Sequence, residues 1–477
     1  MSSLVLYPRS APADILRVWI GVFDAGAGPP NVTWTVDGNP VAAVPVRPLT
    51  LAHNHGARSF TGVFDLAGRA TPGTRHRISA RVPGCDPAAL TMRSIPDGIR
   101  DGDWTRVLLT SCYHQAEDRS GLARRTFQNI PSAERPDLTL MMGDQVYLDL
   151  PTLNNFPDNE AKLAEKFENT YRRNWDRNGG LAGILDAAPS INCPDDHEYW
   201  NNFPHSSPII QNSWSPESRQ RWKNAADQTY DAFQLAAPAE RGDGVSVDIA
   251  PLSVFVLDQR THRRDDRSAT LTPNGLAELK AWANRLIDEG KYGAVVTGQS
   301  LLDKPVGRFT GAVADQMLAN YDDYGDVVRT LADLADKGRR PVLLLTGDVH
   351  WGRITRIEQG GRTRFFEIIC SPSSLVSTVG ADQVKTIGAG IKSFFGGQRN
   401  RWPRHAEPPD PEPFFAPQVL GKTYRTKALH KQKGDQLAML AVRRAAGGLE
   451  AKVTYYEVHK SPKRPVTKSL GLLRSGM

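Results

Sequence analysis

Residues 138–147 read LTLMMGDQVY, an apolar run of five residues followed by glycine, aspartate and, three positions later, tyrosine. A short and continuously apolar run indicates a strand that is buried on both faces, as in the parallel sheets of α/β proteins. Glycine lets the backbone turn sharply where such a strand ends, and ligands of open α/β sheets bind beside that end. Asp144 and Tyr147 therefore stand where a bound ion or substrate would lie.

The same pattern recurs along the chain after residue 104. Four further apolar runs are predicted to be strands: 107–109, 254–257, 294–296 and 342–345. Predicted helices alternate with some of them and cover 161–175, 216–233, 274–287 and 321–337. This alternation of buried strands and helices predicts an α/β fold.

Two domains are predicted from the change in pattern along the chain. Residues 1–97 contain short alternating runs separated by turn residues, which favours a small all-β immunoglobulin-like domain. Residues 98–477 carry the α/β pattern and every candidate site residue. Residues 380–430 are rich in glycine, proline and aromatic residues without periodicity, which predicts a lid or loop insertion. A terminal hairpin is predicted from the runs 437–443 and 449–458.

The charge balance argues against a dedicated nucleic-acid-binding protein. The 477 residues include 59 basic and 52 acidic side chains, for a formal charge of +7, whereas nucleic-acid-binding proteins concentrate positive charge in a patch. The clearest local excess lies at 399–405, which we interpret as a solvated loop, with a cationic rim for a phosphate ester as the alternative. Nucleic acid is expected at most as a substrate.

Neither membrane insertion nor export is indicated by the sequence. No apolar run approaches the roughly 20 residues that a membrane-spanning helix needs, and the first residues lack the pattern of a signal peptide. We therefore expect no membrane span and a cytoplasmic location. The four cysteines show neither zinc-finger nor CxxC spacing, so a disulfide framework is not expected.

Cys112 follows the predicted strand at 107–109, so its sulfur is expected at a strand end. A lone cysteine is most often a small packed residue, but the neighbouring motifs favour a metal ligand here. A thiolate beside a multivalent cation is deprotonated and binds it. Sulfur favours a transition metal over calcium or magnesium.

Residues 195–198 read DDHE and lie between INCP and YWNNF. An acidic run of this kind is often a solvated turn, but the apolar and amide-rich neighbours favour a buried site. Clustered oxygen ligands suit a hard cation such as Ca²⁺, Mg²⁺ or Mn²⁺. His197 can contact a phosphate or protonate a leaving oxygen.

Two further motifs follow predicted strands. Asp348 and His350 alternate within the sequence GDVH, so both can face one way if the backbone stays extended. Arg260, in the sequence DQR, can bind phosphate oxygens bidentately and offset charge that grows in the transition state. A lone Asp-x-Arg pair is more often a salt bridge.

Taken together, these motifs resemble those of the PhoD-like alkaline phosphatases, within the calcineurin-like metallophosphoesterases. The resemblance spans residues 105–371 and rests on Ser-Cys, Gly-Asp-x-x-Tyr, Asp-Asp-His-Glu with Asn-Asn behind it, Asp-x-Arg, Gly-Gln-Ser and Gly-Asp-Val-His. It implies a metallophosphoesterase-type β-sandwich core flanked by helices in the catalytic domain 98–477. It also implies Fe³⁺ and Ca²⁺ as cofactors, with Mn²⁺, Mg²⁺ or Zn²⁺ as alternatives.

The resemblance implies a role for each matching position of this chain. Cys112, Asp144 and Tyr147 would hold iron, and Asp144 would bridge to calcium. The remaining implied residues are Asp196, Asn201, Asn202, Asp348 and His350 as metal ligands, and His197, Arg260 and His350 along the phosphate. The choice of direct ligands among Asp195, Asp196, Asn201 and Asn202 stays open.

The resulting hypothesis is hydrolysis of phosphate monoesters or diesters by a water or hydroxide that two metal ions activate. The substrate would be a small phosphorylated molecule. One alternative is a non-catalytic or regulatory relative that binds a phosphorylated ligand. Another is a serine hydrolase that uses Ser300, although the sequence GQSLL lacks the second glycine of a nucleophile elbow.

Overall fold

A computed structural model describes the chain except residues 1, 27, 67, 69, 119–120, 152–155, 238–239, 243, 307–314, 375–407, 462 and 475–477. The described strands are β1 (Ser3–Arg9), β2 (Leu16–Phe23), β3 (Thr33–Val36), β4 (Asn39–Val41), β5 (Ala43–Leu51), β6 (Ser59–Leu66), β7 (Arg75–Arg81), β8 (Ala88–Arg93), β9 (Thr105–Thr110), β10 (Leu138–Met142), β11 (Ser190–Cys193), β12 (Val245–Ile249), β13 (Leu252–Val256), β14 (Tyr292–Thr297), β15 (Val342–Thr346), β16 (Gly352–Gln359), β17 (Arg362–Ile369), β18 (Arg425–Gln432), β19 (Gln436–Ala445), β20 (Gly448–Glu457) and β21 (Val466–Arg474). The described α-helices are α1 (Leu122–Gln128), α2 (Glu160–Trp175), α3 (Ala182–Leu185), α4 (Pro216–Phe233), α5 (Pro273–Glu289), α6 (Tyr324–Lys337) and α7 (Phe415–Gln418).

The main core lies between a ten-stranded and a seven-stranded sheet. The first has the order β21-β20-β19-β9-β10-β11-β1-β2-β6-β5, and β9, β10 and β11 are parallel. The second has the order β12-β13-β14-β15-β17-β16-β18, and β13, β14, β15 and β17 are parallel. Leu140 and Leu440 of one sheet join Val296 and Leu345 of the other in a single buried cluster. Removal of this apolar area from water holds the two sheets face to face.

Helices cover the outer face of each of these sheets. Phe167, Trp175 and Trp222 of α2 and α4 belong to a buried cluster on the ten-stranded sheet. Trp282 of α5 and Val327 of α6 do the same on the seven-stranded sheet. The layers are therefore helix, sheet, sheet and helix, with the apolar stripe of each helix turned inward.

Local signals in the sequence set the starts of the three longest described helices. The side chains of Asn159, Ser215 and Thr272 each accept a hydrogen bond from the backbone N–H three residues later. Such caps satisfy N–H groups that have no partner inside the helix. Pro216 and Pro273 stand in the first turn, where proline loses no helical hydrogen bond.

The strands β1 to β8 form a smaller sandwich that shares a sheet with the main core. Ile20 and Ile78 pack between the strands β1, β2, β5 and β6 and the four-stranded sheet β4-β3-β7-β8. Arg9 of β1 pairs with Ser190 of β11, and the Trp19 indole N–H donates to the carbonyl oxygen of Ala232 at 2.8 Å. The immunoglobulin-like assignment is not confirmed, and the boundary at residue 97 stays a prediction.

The predicted mixed α/β class is confirmed. Helix α4 has the predicted bounds, and α2, α5 and α6 differ from theirs by at most three residues at either end. The first 28 positions of the predicted insertion 380–430 lie outside the described residues, and the rest contains α7 and most of β18. None of the described helices has the length and apolar character to cross a bilayer, while the cytoplasmic location stays a prediction.

We expect the substitution Leu140→Ala to lower the free energy of unfolding by about 2–5 kcal/mol, because it leaves a cavity between the two sheets. Leu140 is 1% exposed. The same substitution at Leu51, which is 41% exposed, should change stability by about 0.5 kcal/mol or less. Urea denaturation of both variants checks this, and equal losses would contradict the assigned core.

Candidate metal centre

The candidate residues lie at the carboxyl ends of parallel strands from both sheets. Cys112, Asp144 and Asp195 come soon after β9, β10 and β11, and Asp348 comes soon after β15. The backbone N–H of Cys112 donates to the carbonyl oxygen of Gly143 at 3.0 Å, which ties the first two loops together. Because parallel strands end at the same edge of a sheet, Cys112, Asp144 and Asp195 meet here. The face-to-face packing of the two sheets brings Asp348 of the other sheet to them.

Two glycines allow the loops to approach one another. A Cβ atom at Gly347 would lie 2.0 Å from the carbonyl oxygen of Met142 and 2.7 Å from the Cβ of Ser111. At Gly143, where φ is +93°, a Cβ would lie 2.8 Å from that of Asp195. A side chain fits at neither position, so the glycines of both Gly-Asp motifs are required by loop packing as well as by the turn.

Three groups of side chains place potential ligand atoms within 4.8 Å of one another. The groups are Cys112 with Asp348 and His350; Asp144 with Asp196 and His197; and Asp144 with Asp195, Asp196 and Asp348. Asp144 and Asp348 each belong to two groups, so the groups adjoin and share carboxylates. One group offers sulfur and imidazole nitrogen, and the last offers only oxygen.

Several of these residues have a left-handed backbone. Positive φ values occur at Cys112 (50°), Asp144 (56°), Asn202 (73°), Asp348 (55°) and His350 (63°). Such conformations are uncommon outside glycine and cost of order 1–3 kcal/mol each. The backbone is therefore not extended at Asp348 and His350, the condition under which their alternation would align them, and the two side chains converge through a tight turn instead.

Glu198 is the buried carboxylate that joins the loops after β10 and β11. Its oxygens accept backbone N–H bonds from Gln145 at 2.7 Å, Asp195 at 2.9 Å and Asp144 at 3.0 Å, and a side-chain bond from Gln234 at 3.1 Å. Glu198 belongs to the acidic run DDHE, and no separate role was predicted for it. Its spacing of three residues from Asp195 is that of a capping box, which could have revealed it.

His197 is held by a carboxylate that the sequence analysis missed. Its Nδ1 lies 2.9 and 3.0 Å from the two oxygens of Asp149, which also accepts the backbone N–H of Asn201 at 2.8 Å. Burial lowers the pKa of His197, but the charges of Asp149 and Asp196 outweigh it and raise that pKa well above the usual value. With Nδ1 engaged, Nε2 is the ring nitrogen left to face a ligand.

Arg260 reaches the site through other side chains. Its guanidinium donates to Asp195 at 2.6 Å, to both oxygens of Asp315 at 3.2 and 2.7 Å, and to the carbonyl oxygen of Phe203 at 2.9 Å. The group is 1% exposed. Its predicted contact with phosphate stays a prediction. Its salt-bridge partners are Asp195 and Asp315, while Asp258 of the Asp-x-Arg motif accepts the backbone N–H of Arg260 at 3.0 Å.

Ser300 does not have the surroundings of a hydrolytic nucleophile. Its hydroxyl is buried and donates to Glu367 at 2.6 Å. Glu367 in turn accepts from Arg353 at 2.7 Å, so its charge is already balanced. A nucleophilic serine needs a base, most often histidine, as its partner, and the geometry at Ser300 does not favour the serine-hydrolase alternative.

The buried acidic groups oppose one another's ionisation. Burial, followed by the charges of neighbouring acids, raises the pKa of Cys112 and Tyr147 well above their usual values. Burial also raises the pKa of Asp144 and Asp348 well above the usual value, and that of Asp195 to about 7. A bound cation reverses this effect, because it stabilises the anionic form of each ligand.

The donors present fit such a cation. Buried oxygen atoms without a hydrogen-bond partner among the described residues occur in Tyr147 (the hydroxyl), Asp195 (Oδ2), and Asn201 and Asn202 (Oδ1). Buried polar atoms are normally satisfied. Oxygen atoms left in this state beside a carboxylate cluster are what a metal ion would satisfy.

The structure brings most of the predicted ligands into one pocket. Tyr147 packs against His197 with ring centroids 4.2 Å apart, and the backbone N–H of Asn202 donates to Asp196 at 2.8 Å. Ser371, which the sequence analysis did not single out, donates to the Cys112 sulfur at 3.1 Å. It follows β17, a strand absent from the predicted set, so no sequence signal marked it.

Comparisons with known proteins agree with this geometry. A family described as PhoD-like phosphatase matches residues 107–394, more than half of the chain. A solved structure described as "Structure of PhoD" is similar at 13% identity with a TM-score of 0.60, over 98% of this chain and 92% of that chain. At this identity the likeness shows the fold alone, and no curated protein matches. Through the family match, the chain belongs to the PhoD-like phosphatases, a family of metal-dependent phosphoester hydrolases.

Proposed function

We propose that this chain hydrolyses phosphate monoesters or diesters at a site with at least two cations. The observation that carries the proposal is the convergence of the Cys112 thiol and the carboxylates of Asp144 and Asp348 at one edge of the two sheets, with the ring of Tyr147 packed against His197 beside them. When bound, cations there supply Lewis-acid stabilisation of the phosphoryl oxygens and lower the pKa of a water molecule.

The two kinds of donor support two kinds of cation. Cys112 and His350 offer sulfur and nitrogen, which favour a transition metal, and we assign iron(III) to that side together with Tyr147. Asp144, Asp196 and the side-chain oxygens of Asn201 and Asn202 favour a hard cation, which we assign as calcium. Shared carboxylates would keep the two cations adjacent.

The remaining polar residues bind and orient the substrate in this proposal. His197, fixed by Asp149, presents Nε2 to the leaving oxygen and can donate a proton to it. His350 stands beside Asp348 at the half-buried mouth of the site, where it can contact a phosphoryl oxygen. Arg260 positions Asp195 and adds positive charge behind it.

Purified protein should hydrolyse a chromogenic phosphate ester at alkaline pH, and chelation should lower the rate about a hundredfold or more. Loss of Lewis-acid stabilisation worth several kcal/mol corresponds to that factor. Elemental analysis before and after chelation, with readdition of iron and calcium, completes the measurement. A hydrolysis rate that does not change when the chelator is added would contradict the proposal.

Asp144→Asn provides the matched test of the metal ligands, because it keeps the shape of the side chain and removes its charge. We expect loss of bound metal and of activity. The control is Asp266→Asn, which changes an exposed carboxylate and should leave both unchanged. A metal-bound protein that binds esters without turnover would favour the non-catalytic alternative.

Tyr147→Phe should bleach or shift a visible absorption band of the purified protein, because a phenolate bound to iron(III) absorbs visible light. Tyr113→Phe is the control, since the Tyr113 hydroxyl donates to Asp118 at 2.7 Å instead. Absorption spectra of the two variants give the result. A colourless, iron-free and active wild type would overturn the iron assignment and leave hydrolysis standing.

The variant Arg260→Lys distinguishes two roles of Arg260, positioning of Asp195 and direct binding of the phosphate. If Arg260 positions Asp195, the variant should lower kcat and metal content while KM changes by less than about threefold, since the lost interaction is not with bound substrate. A large rise in KM at unchanged kcat and metal content would instead indicate direct contact with the phosphate. Steady-state kinetics and elemental analysis distinguish these results.

A further inference from the structure

A second cavity of about 250 Å³ lies away from the metal centre and is lined by four arginines. Arg339 precedes β15, Arg362 begins β17, Arg356 lies within β16 and Arg474 ends β21. The cavity is therefore near the amino end of β15, whereas Asp348 follows its carboxyl end. The five residues of β15 separate the two places by roughly 16 Å, at about 3.3 Å per residue.

The floor of this cavity is apolar and belongs to the packed core. Phe366 and Leu470 line it and also belong to the buried cluster between the two large sheets. The cavity thus opens at the end of the shared core, where the seven-stranded sheet separates from β21 of the ten-stranded sheet. Side chains anchored in a packed core hold the cavity's shape, as expected of a preformed site.

The arginines of the cavity carry more positive charge than their acidic partners neutralise. Arg356 is the partly neutralised member of the set, since its Nε lies 2.9 Å from a Glu358 oxygen. Arg339, Arg362 and Arg474 form no ion pair with any acidic side chain in the described part of the chain. Four guanidinium groups around one space, with one carboxylate nearby, repel one another and create a positive potential there.

An anion of several charges removes that repulsion and supplies acceptors for the planar guanidinium groups. Arginine binds phosphate groups bidentately, which adds geometric specificity to the charge. The volume lies just below the roughly 300–1,000 Å³ of sites for drug-sized ligands, so a compact anion fits better than a large one. A ligand with more than one phosphate group can engage more of the four arginines than a single phosphate can.

We propose that this cavity binds a compact oligophosphate, of the inorganic diphosphate class, at a site separate from the metal centre. The ligand's phosphate groups contact Arg339, Arg356, Arg362 and Arg474, and Phe366 with Leu470 closes the base. This site is distinct from the proposed hydrolytic site and would exist even if the metal centre were inactive.

The test is calorimetric binding of methylenediphosphonate, a diphosphate analogue whose carbon bridge resists hydrolysis. Wild type is compared with the double variant Arg362→Gln and Arg474→Gln, in buffers of low and high salt. Any binding at the metal centre is common to both proteins, so the difference reports the cavity. We expect the variant to lose one class of sites, or to bind there at least about tenfold more weakly, because charge-assisted hydrogen bonds are lost.

A matched control is the double variant Arg77→Gln and Arg81→Gln, which removes two exposed arginines of β7 and should bind as wild type does. If the cavity variant does not fold, Arg474→Gln alone, at an exposed strand end, should still weaken binding severalfold. Equal stoichiometry and affinity in wild type and cavity variants would overturn the proposal. So would an equal loss in the β7 control.

Discussion

Repulsion between buried acidic groups is the constraint on which the whole site depends. Asp144, Asp195, Asp196 and Asp348 place oxygens within 4.8 Å of one another, and burial denies them the screening of water. A fold that places them together must hold them by other means. Glu198 does so through the backbone, since it binds N–H groups on both sides of the cluster and leaves the ligand oxygens available.

The same constraint accounts for the strained backbone at the strand ends. Left-handed conformations at Cys112, Asp144 and Asp348 turn each side chain back toward a common point, which an extended strand end would not do. The packing of the core between the sheets, where β9, β10 and β15 are buried along their lengths, offsets the free-energy cost of these backbone conformations. Strain of this kind persists only where surrounding packing over-determines it.

Much of the fold could be predicted because its signals are local. The proline and capping residue that begin α4, and the apolar run of β10, need no knowledge of the rest of the chain. The rule that parallel strands share an edge places Cys112, Asp144 and Asp195 together at one sheet, whereas Asp348 joins them through the packing of the second sheet on the first. The metal-ligand candidates were accessible for the same reason.

The supporting residues could not be predicted because their roles depend on distant partners. Asp149 reads as an ordinary acidic residue until the fold places it against His197. Arg260 was expected at the phosphate, but Asp315, which engages it, lies 55 positions later and carries no motif. The continuity of the N-terminal strands with the main sheet likewise rests on one parallel pairing between β1 and β11.

That continuity makes the N-terminal sandwich part of the support of the reaction site. The side chains of Trp19 and Arg47 donate to the carbonyl oxygen of Ala232, near the end of α4, at 2.8 and 2.7 Å. Gln234 lies two residues after Ala232, and its side chain donates to Glu198. An unbroken relay of hydrogen bonds and two residues of chain thus links a distant β-layer to the ligand loops. Excision of the strands β2 and β5, which carry Trp19 and Arg47, would remove the far anchor of that relay.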